Sequence, residues 1–237
     1  ITCKTEHKCV LESCHELETD GFKVTYLDVD EDGLINLEEL ENLLKQKKAL
    51  VSIMHANNEI GVLQPIKEIG ELCKKYNSIF HTDVAQSIGT QKIDVEEMNI
   101  HALSISAHKI YGPKGVGALF ISNSIKNTLR PLMSGGGQEL NLRSGTLSPA
   151  LCVGLGEACR EISDNIDDFV LHFKKLKSCL LTELVNAKFE FNINLPTFIA
   201  LLNFKILKTK IIYYEKTFIY FLNAVFLSMA RLSIFSM

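Results

Sequence analysis

The sequence predicts a three-layer α/β domain, a mostly parallel sheet with helices on both faces. Two observations carry that prediction. Short apolar runs of strand length alternate with amphipathic runs at the helical period. Strands and helices that alternate in this way build a largely parallel sheet covered on both sides.

The elements follow in order. GFKVTYLDV (21–29) alternates apolar and polar residues, as a strand does. NLEELENLLKQ (36–46) places leucines at 37, 40, 43 and 44, one helical stripe, with Asn36 as a natural N-cap. ALVSIMHAN (49–57) is a near-continuous apolar run, the mark of a buried strand. PIKEIGELCKKY (65–76) predicts a helix with Pro65 at its first position. SIFHTDVAQ (78–86), ALSISAHKI (102–110) and GVGALFIS (115–122) read as three further strands. SPALCVGLGEACREI (148–162) and DDFVLHFKKLKSCLLTELVN (167–186) read as two helices.

Composition narrows the function. With 237 residues, 46% apolar and 22% charged, the chain has enough material for a sizeable core. A net charge of −3 gives no reason to expect nucleic acid as a partner. None of the seven cysteines forms a CxxC pair, and no metal site is expected; buried or reduced thiols fit the spacing better. All 14 glycines lie at or before Gly156, and after residue 188 the net charge turns from −6 to +3. A folded α/β domain needs glycine at its turns. Residues 187–237 are therefore expected to be an apolar tail foreign to the body. Its longest charge-free run, 217–230, is short for a membrane span.

Ligands of parallel sheets bind beyond the carboxyl ends of the strands. Four such ends are polar here: KTEHK with His7, HANNE with Asn57 and Asn58, HTDVAQ with Asp83 and Gln86, and SAHK with Ser106, His108 and Lys109. Singly, each has an ordinary explanation as a cap, a turn residue or a solvated charge.

Together they resemble the cysteine desulfurases, the class V aminotransferase relatives of NifS and IscS type. SISAHKIYGPKG is similar to that family's cofactor-lysine segment. TEHKCVLESC, VSIMHANNEIGVLQPI, FHTDVAQSIG and SGGGQ…LRSGTLSPALCVGLGEA match it in order and spacing, over roughly residues 1–186. The resemblance implies a partial large domain of the pyridoxal-phosphate (PLP) transferase fold over 1–186. It implies that residues 187–237 stand in place of the family's C-terminal small domain. It also implies removal of sulfur from L-cysteine to leave alanine, with the persulfide passed to an iron–sulfur scaffold protein.

The implied roles are specific. Lys109 forms the Schiff base with the cofactor aldehyde. Asp83 pairs with the pyridinium nitrogen. Asn58 and Gln86 bond the phenolic oxygen. His7 stacks on the ring and relays a proton. Ser106 and His108 hold the phosphate, and Thr146 reaches the phosphate of the neighbouring subunit in a homodimer. The expected location is mitochondrial in a eukaryote and cytoplasmic in a bacterium.

Some features depart from the family. Ala107 replaces a glycine, and its methyl is expected to crowd the phosphate if the backbone is tight there. Leu140–Asn141–Leu142 replaces Arg-Gly-Met, which removes a positive charge. The chain begins at Ile1, which suggests a cut N-terminus. The family's Gly-Ala-Thr phosphate loop and its mobile cysteine loop have no counterpart, so this chain is expected to keep a cofactor site without completing the reaction. Three other readings compete: a selenocysteine lyase or other class V relative, a non-catalytic remnant, and a calcium module. The last rests on DVDEDGLINLEE (28–39), which fits the EF-hand loop letter for letter. Its entering segment, GFKVTYL, reads as a strand where an EF-hand needs a helix, so calcium binding is not expected.

Overall fold

The computed structural model describes residues 1–186; the expectations for the tail lie outside the described residues. One six-stranded sheet organises the chain. Its strands are β1 (Thr2–Cys3), β2 (Tyr26–Leu27), β3 (Leu50–Ser52), β4 (Ile79–Asp83), β5 (Ala102–Ser106) and β6 (Gly117–Ile121), in the spatial order β2-β1-β3-β4-β5-β6. All neighbours pair in parallel except β5 and β6, which form an antiparallel hairpin.

The helices are α1 (Lys8–Thr19), α2 (Leu37–Gln46), α3 (Ile66–Lys75) and α4 (Pro149–Asn186). Cys3, Leu27, Val51, Phe80 and Leu103 point to one face of the sheet. There they form the main core with Leu40 and Leu44 of α2 and Ile66, Ile69 and Cys73 of α3. On the opposite face, Tyr26 donates from its hydroxyl to Glu18 of α1 at 3.0 Å. Helices thus lie on both faces, as the alternating pattern predicts.

Local chemistry explains the boundaries. The Asn36 side chain accepts from the Glu38 and Glu39 amides at 2.8 and 3.1 Å, and so caps α2 as expected. Pro65 is the N-cap residue of α3, one position earlier than predicted; its carbonyl accepts the Ile69 amide. Gly70 is needed where α3 crosses the chain at Met98, because a Cβ there would sit 1.9 Å from the Met98 carbonyl oxygen.

Several expectations need correction: the strands over 49–57, 78–86 and 115–122 shorten to Leu50–Ser52, Ile79–Asp83 and Gly117–Ile121, and three further differences have local reasons. The strand over 21–29 shrinks to Tyr26–Leu27, since this edge strand finds a partner only along two-residue β1. The strand over 102–110 stops at Ser106, and Ala107–Ile110 form a 3-10 turn ending in Tyr111 at φ 64°. The two helices over 148–186 are one. Across the gap between them, Arg160 pairs with Asp164 at 3.2 Å and Asn165 donates to the Glu161 carbonyl and carboxylate, which carries the helix through.

The segment 28–39 follows the strand reading. Asp28 pairs with Lys4 at 2.5 Å. The Asp30 carboxylate accepts the Asp32 and Leu34 amides, an Asx turn that bends the chain towards α2. Both amides bond the same oxygen, Oδ1.

Candidate functional site

Parallel strands β1, β3, β4 and β5 lie side by side, so their carboxyl ends form one rim. The strand-end residues singled out in the sequence fall along it; Thr146 does not. His7 follows β1 as the N-cap of α1. Asn57 and Asn58 follow β3. Asp83 ends β4, and Gln86 lies in the turn just after it. Ser106 ends β5, and His108 and Lys109 occupy the 3-10 turn beyond.

Asp83 is anchored through both its backbone and its side chain. Its carbonyl accepts the His55 amide at 2.9 Å from the β3 side, and on the β5 side it is in register with Ser104. One carboxylate oxygen accepts the Ala85 amide at 2.8 Å, which fixes the side chain at the strand end. His81 sits two residues earlier on the same face. It bridges Ser52 and Ser104 through its two ring nitrogens, each contact 2.8 Å. This hydroxyl–imidazole–hydroxyl rung stitches β3, β4 and β5 together just below Asp83. Burial holds the His81 imidazole below its ordinary pKa, partly opposed by the Asp83 charge.

The two asparagines separate. Asn57 is buried and organises the loop: its oxygen accepts the Glu59 and Ile60 amides at 2.8 Å, and its amide donates to the Thr5 carbonyl at 2.5 Å. Asn58 and Gln86 are half-buried, and no hydrogen bond engages either side chain among the described residues. Their amides are available to a ligand. Lys109 is exposed and likewise unpaired, while Ser106 and His108 meet at 2.9 Å beside it. Thr146 is exposed in the segment before α4, and no hydrogen bond joins its side chain to the rim.

Ala107 does not crowd this rim in the way feared. Its methyl is fully buried and packs in a second cluster with Ile110, Leu155, Ala158 and Ile162, under α4. The departure from glycine is absorbed by the core.

Two titratable residues escaped the sequence reading. Glu6 is 6% exposed. One of its oxygens accepts the Met54 amide at 2.5 Å and lies 3.6 Å from the Cys3 thiol; the other is buried without a partner. Burial pushes its carboxyl up to about 7, helped by the Asp83 charge and opposed by the Met54 and Cys3 hydrogen bonds. His55 is also buried, with an unpartnered Nδ1, and burial lowers its imidazole to about 4. The only sequence signal was position: both sit where an apolar run meets a polar strand end.

A groove of about 360 Å³ lies elsewhere, between α2 and α3, lined by residues such as Leu37, Glu41, Glu71 and Lys75. It includes none of the rim residues. All seven cysteines are free, and burial raises the Cys3 and Cys73 thiols to about 11 and about 12, which makes them inert core residues.

Comparison with known proteins gives the rim its context. The aminotransferase class-V family model matches residues 1–197. The chain is 53% identical over 188 residues to the mitochondrial cysteine desulfurase of Saccharomyces cerevisiae, covering 79% of this chain and 38% of that protein. A solved NifS-like protein superposes with a TM-score of 0.77 at 41% identity, over 85% of this chain and 55% of that one. SspA in complex with cysteine superposes at 0.65 with 48% identity, over 67% of this chain and 46% of that one. The chain thus spans about half or less of the length of these relatives. The family model covers every described element, and the strand ends it spans are those that carry the lysine, the aspartate and the free amides; this chain belongs to the aminotransferase class-V family.

Proposed function

We propose that this chain carries the cofactor-holding part of a PLP-dependent cysteine desulfurase. One observation carries the reading: an unpaired Lys109 stands on the turn after β5, beside β4, whose Asp83 is locked at the strand end. The residues present suit PLP. A primary amine, a fixed carboxylate, two uncommitted amides and a serine–histidine pair match an aldehyde, a ring nitrogen, a phenolic oxygen and a phosphate. When bound, the cofactor supplies an electron sink for breaking a bond next to the substrate amine.

The protein's part is binding and orientation. Lys109 holds the cofactor covalently. Asp83 offers its second oxygen to the ring nitrogen, and the His81 rung keeps β4 in place beneath it. Asn58 and Gln86 bond the phenolic oxygen, and Ser106 and His108 take the phosphate. His7 faces the same rim from the start of α1. L-cysteine as substrate is supported by the names of the relatives, among them one solved with cysteine. A mitochondrial location is supported by the yeast relative. A homodimer, with Thr146 serving the second subunit, is supported by the exposed Leu132, Met133, Leu140 and Leu147 in the stretch of chain that carries that threonine. Transfer of sulfur to an iron–sulfur scaffold protein completes the proposal.

The test is spectroscopic. The purified full chain mixed with PLP is expected to develop a visible absorption band that borohydride fixes to Lys109, and Lys109→Ala is expected to lose it. A band of equal strength in both proteins, or none in either, overturns the assignment.

A further inference from the structure

His7 makes two contacts through one nitrogen. The Cys9 backbone amide donates to His7 Nδ1 at 3.2 Å, and the Cys9 thiol lies 3.0 Å from the same atom. The histidine is the N-cap of α1, so its ring takes the place of the usual asparagine or serine oxygen. A backbone N–H can only donate, so Nδ1 must accept and carries no proton. With the ring turned over, a carbon would face the amide and the cap would be lost, which fixes the orientation as well. The thiol is available as a second donor: burial, with the Asp83 and Glu6 charges, raises its pKa and keeps it protonated. The other ring nitrogen, Nε2, has no protein partner among the described residues.

We propose that Cys9 sets the tautomer of His7: its amide and thiol both bond Nδ1, leaving Nε2–H as the nitrogen His7 offers to the rim. Cys9 is then a positioning residue acting through His7. His7 meets a bound molecule as a hydrogen-bond donor, so it selects an acceptor atom such as a carboxylate or phenolic oxygen. The assignment of that role to His7 rests on the proposed function, but the tautomer itself needs no cofactor. The tautomer and the PLP band can therefore fail independently.

The test uses the full chain labelled with ¹⁵N in the histidine rings, at a pH where His7 is neutral, with His7→Ala to assign its signals. Wild type is expected to show an unprotonated Nδ1 and a protonated Nε2. Cys9→Pro, which removes both donors at a first-turn position where proline is tolerated, is expected to move both shifts towards averaged values. A protonated Nδ1 in wild type, or identical His7 shifts in both proteins, overturns the proposal. A second measurement avoids the proline variant. Exchange of the Cys9 amide is expected to quicken about fivefold in His7→Ala, the usual effect of losing a cap, and to slow again in His7→Asn. Unchanged exchange in His7→Ala also overturns it.

Discussion

Glu6 and His55 are expected to give the chain two opposed pH dependences, and single substitutions should separate them. The Glu6 carboxyl stands at about 7 in the fold against an ordinary 4.5. The folded state therefore keeps a proton that the unfolded chain releases, and stability falls as pH rises from about 4.5 to about 7. An interval of about 2.5 corresponds to about 3 kcal/mol at 1.36 kcal/mol per pH unit. The His55 imidazole stands at about 4 against an ordinary 6.5. The unfolded chain takes up a proton that the fold refuses, so stability rises from about pH 4 to about 6.5, again by about 3 kcal/mol. His81 and His101, also held low by burial, add to the rising side. Difference curves remove that shared background. Urea denaturation followed by circular dichroism, at half-unit steps from pH 4 to 8, supplies them. Glu6→Gln keeps an oxygen for the Met54 amide and removes the charge, so its stability relative to wild type should climb by about 3 kcal/mol between pH 4.5 and 7. His55→Gln should lose ground to wild type over pH 4 to 6.5 by a similar amount. A flat Glu6→Gln difference curve would show that the carboxylate is solvated in the fold, and would refute the burial argument.

Two other substitutions probe the frame. Gly70→Ala should destabilise by about 1–3 kcal/mol or more, because its methyl meets the Met98 carbonyl at 1.9 Å and backbone must move; a thermal midpoint within error of wild type would contradict that contact. Ala107→Gly, which restores the family residue, should cost about 1 kcal/mol through lost burial and added chain entropy, with PLP affinity unchanged in a titration of the visible band; a clear gain in affinity would return the methyl to the phosphate site.

Much of this was legible in the chain, for identifiable reasons. The α2 and α3 stripes are local periodicities with caps of their own, so neither needed the rest of the molecule to be found. The rim residues were found because polar letters interrupt apolar runs at strand ends, and parallel sheets place those ends together. Asn57 and Asn58 could not be told apart that way. Only the fold turns one into the buried brace of Thr5, Glu59 and Ile60 and leaves the other uncommitted. Strand length was also illegible. Pairing ends where the neighbour ends, and β1 offers only two residues to β2.

The sequence by itself determined the layered α/β class, the family and which polar residues stand at the strand ends, because these depend on local period and on which side chains stand at which spacing. It also showed that no helical period leads into DVDEDGLINLEE, since the residues before those letters alternate as a strand does. The tertiary structure alone decided the rest. It put Glu6 and His55 out of water, which shifts their protons in opposite directions. It turned the Ala107 methyl into the core and stitched β4 to its neighbours through His81. Each of these depends on what lies across a neighbouring strand or beneath a helix, tens of residues away along the chain, and no local pattern encodes that distance.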